Sequence, residues 1–425
     1  MSTADPTGQG TAPARITPGL TLRLGLSQLV CWGISYYLIG VFAQRMAAEL
    51  RWPPVLIQGG FSAGLVTMGI VSPVVGRLID RRGGQPVMVV GSCLTALGCV
   101  LLGTARGVAP YYAAWVCLGL GMRMTLYESA FAALARIGGP RARRSISHVT
   151  LLGGLASTVF WPIGNALADA FGWRSAVLTY AGFALLTVPL HLGIPHGRFE
   201  PPADEPRGAP APLARTPAQR LLAGALYAVL ATLTTFLNSG MSAHMIGILV
   251  GLGLGASLSV WISTLRGVGQ SAARLCEILF GGRVSPLLLG VIAASLLSVS
   301  FAAGSFSPAS RLAAIAFALV YGAGNGLATI ARGTLPLTLF EPSSYGSVVG
   351  GLLVPSFLSA AVAPLAYTLV IDRLGAGAAL HMSTGAAALV LVGSIVLWVM
   401  FLGSPRRQDR GAPAVRGVAA RRDPE

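Results

Sequence analysis

The sequence predicts an all-α membrane protein with twelve spanning helices in two pseudo-symmetric six-helix bundles, and three observations lead there. Hydrophobic residues make up 54% of the 425 positions and charged residues 10%, with a mean hydropathy of +0.70, whereas a soluble domain carries about 25% charged residues. Twelve stretches are long enough to cross a bilayer, which takes about 20 mainly apolar residues because lipid offers the backbone no hydrogen-bond partner. Loops in the first half of the chain also recur, with similar chemistry, roughly 200 residues later.

Residues 1–19 are polar and rich in Thr, Pro and Gly, so they read as a disordered cytoplasmic N-terminus with no cleavable signal peptide, and the first span is retained. Spans are expected at 20–43, 55–79, 86–104, 110–134, 149–171 and 175–194, which together form an N-terminal bundle over 20–194. A Pro-rich, charged stretch at 195–219 cannot bury a core and reads as a cytoplasmic linker. The next spans are expected at 221–249, 254–278, 286–304, 312–335, 345–371 and 378–402, giving a C-terminal bundle over 220–403. Residues 404–425 read as a disordered basic cytoplasmic tail.

A formal charge of +16 would suggest nucleic acid as the partner of a soluble protein, but here the arginines fall in short segments between apolar runs. Arg77, Arg81 and Arg82, then Arg136 to Arg144, then Arg198 to Arg220, then Arg406 to Arg422 all lie on one side. By the positive-inside rule that side and both termini are cytoplasmic. The opposite loops hold few arginines, several beside an acid, as Arg45 and Arg51 are around Glu49. The complete absence of Lys, with abundant Ala and Gly, reads as codon bias of a GC-rich bacterial genome. The partners implied are the lipid bilayer and a small molecule. Five cysteines (Cys31, Cys93, Cys99, Cys117 and Cys276) lie in apolar stretches without metal-ligand spacing, so they read as structural thiols, and neither a metal nor a cofactor is expected.

Between the second and third spans the chain reads GRLIDRRGGQPVM, from Gly76 to Met88. This run resembles the signature loop of the major facilitator superfamily, matching it at Gly76, Leu78, Asp80, Arg81 and Gly83 and departing from it at Gly84 and Gln85, where two basic residues are usual. Arg274, Glu277 and Gly281-Gly282 repeat Arg77, Asp80 and Gly83-Gly84, while Pro364, Asp372 and Gly375 repeat Pro162, Asp169 and Gly172. The resemblance implies parallel six-helix repeats, a midplane site lined by the first, fourth, seventh and tenth spans, and an Asp80 that holds the halves together through a neighbouring Arg and a helix N-terminus. The YYLIGVF run from Tyr36, the Tyr127-Glu128 pair and Gly172-Trp173-Arg174 are similar to a monocarboxylate-transporter-like branch. That branch implies a monomeric carrier of a small organic anion with protons, multi-pass in a bacterial inner membrane. Efflux of a toxic drug or metalloid is the alternative; an intramembrane enzyme or a non-transporting sensor are the readings of other classes. No HExxH, GxSxG or added soluble domain supports either of these.

Polar groups inside spans are the candidate site, since charges in lipid are costly and usually mark a pathway. Gln28, Trp32 and Tyr36 recur every fourth residue on one helical face, with Tyr37 adjacent, and either contact substrate or pack between helices. Asn238 leads a polar set on the seventh span with Thr234, Thr235, Ser242 and His244. On the fourth span Arg123 is a midplane cation suited to an anion, followed by Tyr127 and Glu128. Glu128 is either a proton carrier or a structural ion-pair member. The tenth span carries Asn325 and Arg332, and aligning Gly121 with Gly324 makes Glu128 and Arg332 near-equivalent. They are expected to meet across the halves as a gate; the competing expectation satisfies Glu128 within its own half through Arg123 or a Tyr hydroxyl.

Overall fold

The computed structural model describes residues 16–199, 212–281 and 284–402, all helix or connection with no strand among them. Residues 1–15, linker residues 200–211 with Arg207, Gly282 of the second repeat copy and the tail over 404–425 lie outside the described residues.

The first span is α1 (Pro18–Cys31), a π turn (Trp32–Tyr36) and α2 (Leu38–Leu50). Thr17 caps α1 by accepting the Leu20 N–H at 3.1 Å, with Pro18 in the first turn, where its missing N–H costs nothing. Then come α3 (Pro54–Arg82), α4 (Gly84–Thr104), and a fourth span split by extended Leu126 into α5 (Val108–Thr125) and α6 (Tyr127–Gly138). The fifth span is α7 (Ala142–Gly154) continued by the part of α8 (Ala156–Leu192) before Gly172, and the rest of α8 is the sixth. The second half holds α9 (Pro217–Gly251), α10 (Ala256–Phe280), α11 (Pro286–Ser305), α12 (Arg311–Leu339), α13 (Tyr345–Leu352), α14 (Val354–Leu374) and α15 (Ala376–Met400).

Nine stretches among the described residues are long and apolar enough to cross a membrane. One of them, Val108–Leu192, has 85 residues, about 130 Å if straight and so several bilayers long. It folds back twice. Tyr127 Oη donates to the Thr150 carbonyl at 3.1 Å and Tyr180 Oη to the Phe160 carbonyl at 3.1 Å, pairs that a straight helix would hold roughly 30 Å or more apart. The reversals fall at Gly139 (φ +52°) and Gly172 (φ +79°), in a region that only glycine enters cheaply. That stretch therefore holds three spans. Helix α10 is less apolar, interrupted by Arg266, Gln270, Arg274 and Glu277, yet it packs between α9 and α12 as the eighth span. Twelve crossings result.

The repeat is visible in backbone geometry. Gly172 (φ +79°, ψ 157°) and its counterpart Gly375 (φ +85°, ψ 169°) adopt the same turn. Gly83 also has positive φ, whereas Gly281 in the second signature copy is right-handed at φ −71°. The parts of the linker that are described do not run free. The N–H groups of Leu213 and Ala214 bond to the carbonyls of Thr338 and Leu339 at 3.0 and 3.2 Å, satisfying acceptors orphaned at the end of α12. On the opposite side, pairing does not follow sequence adjacency: Arg45 bonds Asp169 at 2.6 Å, and Glu49 takes Arg174 at 2.7 Å.

At the end that carries Asp80 the two halves share one core, with Ile79, Phe131 and Ile146 from the first half and Ile330, Leu335 and Tyr345 from the second. At the other end each half has its own, built around Trp115 and Tyr180 in one and Tyr321 and Tyr367 in the other. The molecule is thus joined at the Asp80 end and parted at the opposite one. Two seams make the joint. In the first, α3 meets α13 backbone to backbone, and a methyl on Gly76 would run into the Gly346 carbonyl. Asp80 accepts the Gly346 N–H at 2.9 Å and the Ser347 N–H at 2.6 Å, two orphan donors of the first turn of α13. The neighbouring arginine, Arg136, reaches the Asp80 backbone carbonyl and not its carboxylate. In the second seam, Arg274 donates to the Thr150 carbonyl at 2.8 Å, and Arg143 bonds the Gly281 carbonyl at 3.0 Å and lies 3.5 Å from Glu277. The repeat copies of Arg77 and Asp80 therefore tie α10 to α7.

Asp80→Asn keeps one acceptor but turns its amide toward the other N–H. The expected loss is about 2 kcal/mol, roughly thirtyfold in the ratio of joined to parted halves. The labelling rate of a cysteine placed at Val348 reads this ratio; a rate unchanged by Asp80→Asn would mean the carboxylate does not hold the seam.

Candidate functional site

A cavity of about 110 Å³ lies between the halves, walled by different chemistry on each side. From the first half come Trp32, Tyr36, Tyr37, Tyr127 and Glu128; from the second, Asn238, Arg266, Gln270, Arg274, Asn325 and Arg332.

The π turn brings the aromatics together. Tyr37 N–H reaches back five residues to the Trp32 carbonyl at 3.0 Å, which widens the turn and allows Trp32, Tyr36 and Tyr37 to line one cavity. Trp32 lies 4.9 Å from both Tyr36 and Tyr127, measured between ring centroids. The second half supplies a hydrogen-bonded polar wall. Asn325 Nδ2 donates to Asn238 Oδ1 at 3.0 Å, and Arg266 donates to Ser242 Oγ at 3.1 Å.

One ion pair crosses the cavity. Arg332 Nη2 lies 3.0 Å from Glu128 Oε1, with the Glu128 side chain 6% exposed and that of Arg332 20%. Arg332 also reaches Thr235 Oγ1 at 3.4 Å. The break at Leu126 puts Glu128 in the first turn of α6, where the helix dipole favours a carboxylate. The lining thus carries three guanidinium groups, those of Arg266, Arg274 and Arg332, against the single carboxylate of Glu128.

Eleven residues named from the sequence line this cavity: Trp32, Tyr36, Tyr37, Tyr127, Glu128, Thr234, Thr235, Asn238, Ser242, Asn325 and Arg332. Three others do not: His244 reaches the Pro364 carbonyl at 2.9 Å, and Gln28 and Arg123 depart from their expected placement. Gln28 is fully buried behind the wall and donates to the Thr125 carbonyl at 2.7 Å, an acceptor freed by the break in the fourth span. Arg123, 2% exposed, bonds Ser72 Oγ at 2.9 Å, the Ser72 carbonyl at 3.2 Å and Ser129 Oγ at 3.1 Å. It braces the first seam and the start of α6, so Glu128 pairs with Arg332 instead. Of the signature loop, Gly76 and Asp80 sit in the seam, Gly83 makes the turn, and Arg81 is exposed. The polar stripe of α10 was missed. Arg266, Gln270 and Arg274 follow at every fourth position of α10, a periodicity readable in the sequence.

The sequence model of the Major Facilitator Superfamily matches residues 24–350. Monocarboxylate transporter 11 of Homo sapiens is 24% identical over 376 residues, 86% of this chain and 70% of that protein. Its Mus musculus counterpart is 29% identical over 151 residues, so the chain spans only 31% of that relative's length. Multidrug resistance protein MdtL of Escherichia coli is 31% identical over 165 residues, 38% of this chain and 41% of that protein. Among solved structures, the proton:xylose symporter XylE superposes with a TM-score of 0.71 at 12% identity, covering 90% of this chain and 95% of its own.

Removing one partner from the buried pair strands a charge at a cost of about 3 kcal/mol. Glu128→Gln and Arg332→Gln should each raise cysteine labelling at the Asp80 end, and the double variant should add little to either. A coupling energy of at least about 1 kcal/mol is expected; fully additive effects would show that the two side chains act independently.

Proposed function

The chain belongs to the Major Facilitator Superfamily, and from that premise we propose a secondary transporter that carries a small organic anion together with protons by alternating access. The observation that carries this reading is the surplus of positive charge in the shared cavity, three guanidinium groups facing one carboxylate. A bound carboxylate offsets part of that surplus. Size supports a small solute: a cavity of about 150 Å³ holds benzene, and this one offers about 110 Å³. The name of the human relative, a monocarboxylate transporter, points the same way.

The ion pair supplies a coupling scheme. In the joined state Glu128 holds Arg332. When Glu128 takes up a proton, Arg332 loses its partner and a substrate carboxylate replaces it, so loading one proton with one anion leaves the buried charge unchanged. The link between the halves is then carried by the seams alone, and the Asp80 end is free to part. Arginine placement orients that end toward the cytoplasm, with the protein a monomer in a bacterial cytoplasmic membrane. The partial match to MdtL supports efflux as a second reading, but the guanidinium surplus disfavours cationic drugs.

Proteoliposomes test this. Uptake of a labelled short-chain monocarboxylate should rise when the outside is acidified and collapse with a protonophore. Glu128→Gln should retain exchange of carboxylate for carboxylate while losing proton-driven accumulation, and Arg266→Gln should weaken binding about tenfold, as loss of one charge-assisted contact implies. Carriage of neutral metalloids or cationic drugs, with no carboxylate transport, would sink the proposal.

A further inference from the structure

Behind Arg332, inside the second half, lies a separate pocket of about 40 Å³ between α9, α11, α12 and α15. Its walls are mainly apolar, with Ala231, Ala294, Ala328 and Ala331 alongside Leu230 and Leu335. Thr234 and Tyr227 border it, but their hydroxyls are engaged, by the Leu230 carbonyl at 2.7 Å and the Arg332 carbonyl at 2.9 Å. Ser394 supplies the remaining hydroxyl. Thr234, Ala328 and Arg332 line this pocket and the central cavity alike, so the two spaces adjoin at Arg332.

Gly290, in the lining, contributes to the open space. Most interior glycines of this half are forced by contact: a methyl on Gly269 or Gly322 would strike a neighbouring backbone. A methyl on Gly290 would meet nothing nearer than Leu335 Cδ1 at 3.8 Å. Alanine would also suit the helix better, by about 0.5–1 kcal/mol. Packing does not demand this glycine, and its effect is to leave room.

We infer that this pocket is a tail subsite, which takes the short aliphatic end of an anion whose carboxylate faces Arg332; the inference rests on the anion reading above. Its capacity follows from volume. Benzene in about 150 Å³ occupies about 25 Å³ per carbon, so 40 Å³ takes one or two carbons. Straight-chain acids one or two carbons longer than acetate fit, and longer ones do not. Dicarboxylates and sugars are disfavoured, because the single Ser394 hydroxyl cannot satisfy a second carboxylate or several hydroxyls there.

The test is a chain-length series from acetate to hexanoate, measured as half-saturation for uptake by the full chain in proteoliposomes. In the wild type each methylene that enters the pocket should tighten binding about fourfold, and the trend should reverse once the pocket is full. Gly290→Ala should shorten the optimum by one carbon while leaving acetate unchanged, and Leu335→Ala should lengthen it. Opposite shifts in a pair of variants cannot come from a general loss of fold. If carboxylates are carried but both variants keep the wild-type profile, the subsite is wrong and the anion reading stands. If the wild type carries no carboxylate, both fall.

Discussion

Lipid supplies no hydrogen-bond partner, and this constraint shapes the molecule. Backbone groups answer it by forming helices. Side chains must answer it in pairs, and here the pairs that cross between halves do two things at once. Arg332 satisfies Glu128 across the cavity, Asp80 satisfies the first turn of α13, and Arg274 satisfies the Thr150 carbonyl that also takes the Tyr127 hydroxyl. Each partnership neutralises a polar group and also fastens one half to the other. A charge state or a bound solute that alters the partnership therefore alters the arrangement of the halves.

The interruption at Leu126 shows how local backbone and charge cooperate. By leaving the helix for one residue the fourth span frees the Thr125 carbonyl, which Gln28 takes up, and starts a second helix whose first turn receives Glu128. Arg123 holds the preceding turn against Ser72, which itself faces Gly350 in the seam. The seam, the break and the ion pair are thus consecutive parts of one structure, and the fourth span connects them.

Most of the architecture was legible because membrane insertion writes itself into composition and length. The turn glycines at Gly83, Gly172 and Gly375 were legible as punctuation, and the pairing of Glu128 with Arg332 followed from the repeat. What failed was the placement of two polar side chains. Gln28 shares a four-residue spacing with Trp32 and Tyr36 and keeps ordinary helical register with Trp32, but one turn earlier it meets the Thr125 carbonyl freed by the break in the fourth span and is buried there. Arg123 looked like a midplane cation, yet its partner Ser72 comes from another span and carries no charge to announce it. The stripe of Arg266, Gln270 and Arg274 obeys a simple period but lies on the eighth span, outside the four that the resemblance assigns to the cavity.

The π turn has a consequence for how this chain is compared with its relatives. A ring closed over five residues holds one residue more than the ring of an ordinary helix, so the first span contains a single surplus position somewhere in Trp32–Tyr36. A relative whose first span is α-helical throughout would superpose on both ends of this one and yet be one residue shorter between them. Correct alignment then requires a gap inside an unbroken helix, a placement that ordinary gap rules penalise. Without it, each residue on one side of the turn is matched to a neighbour about 100° around the helix, and the aromatic positions of two similar cavities are read as unrelated.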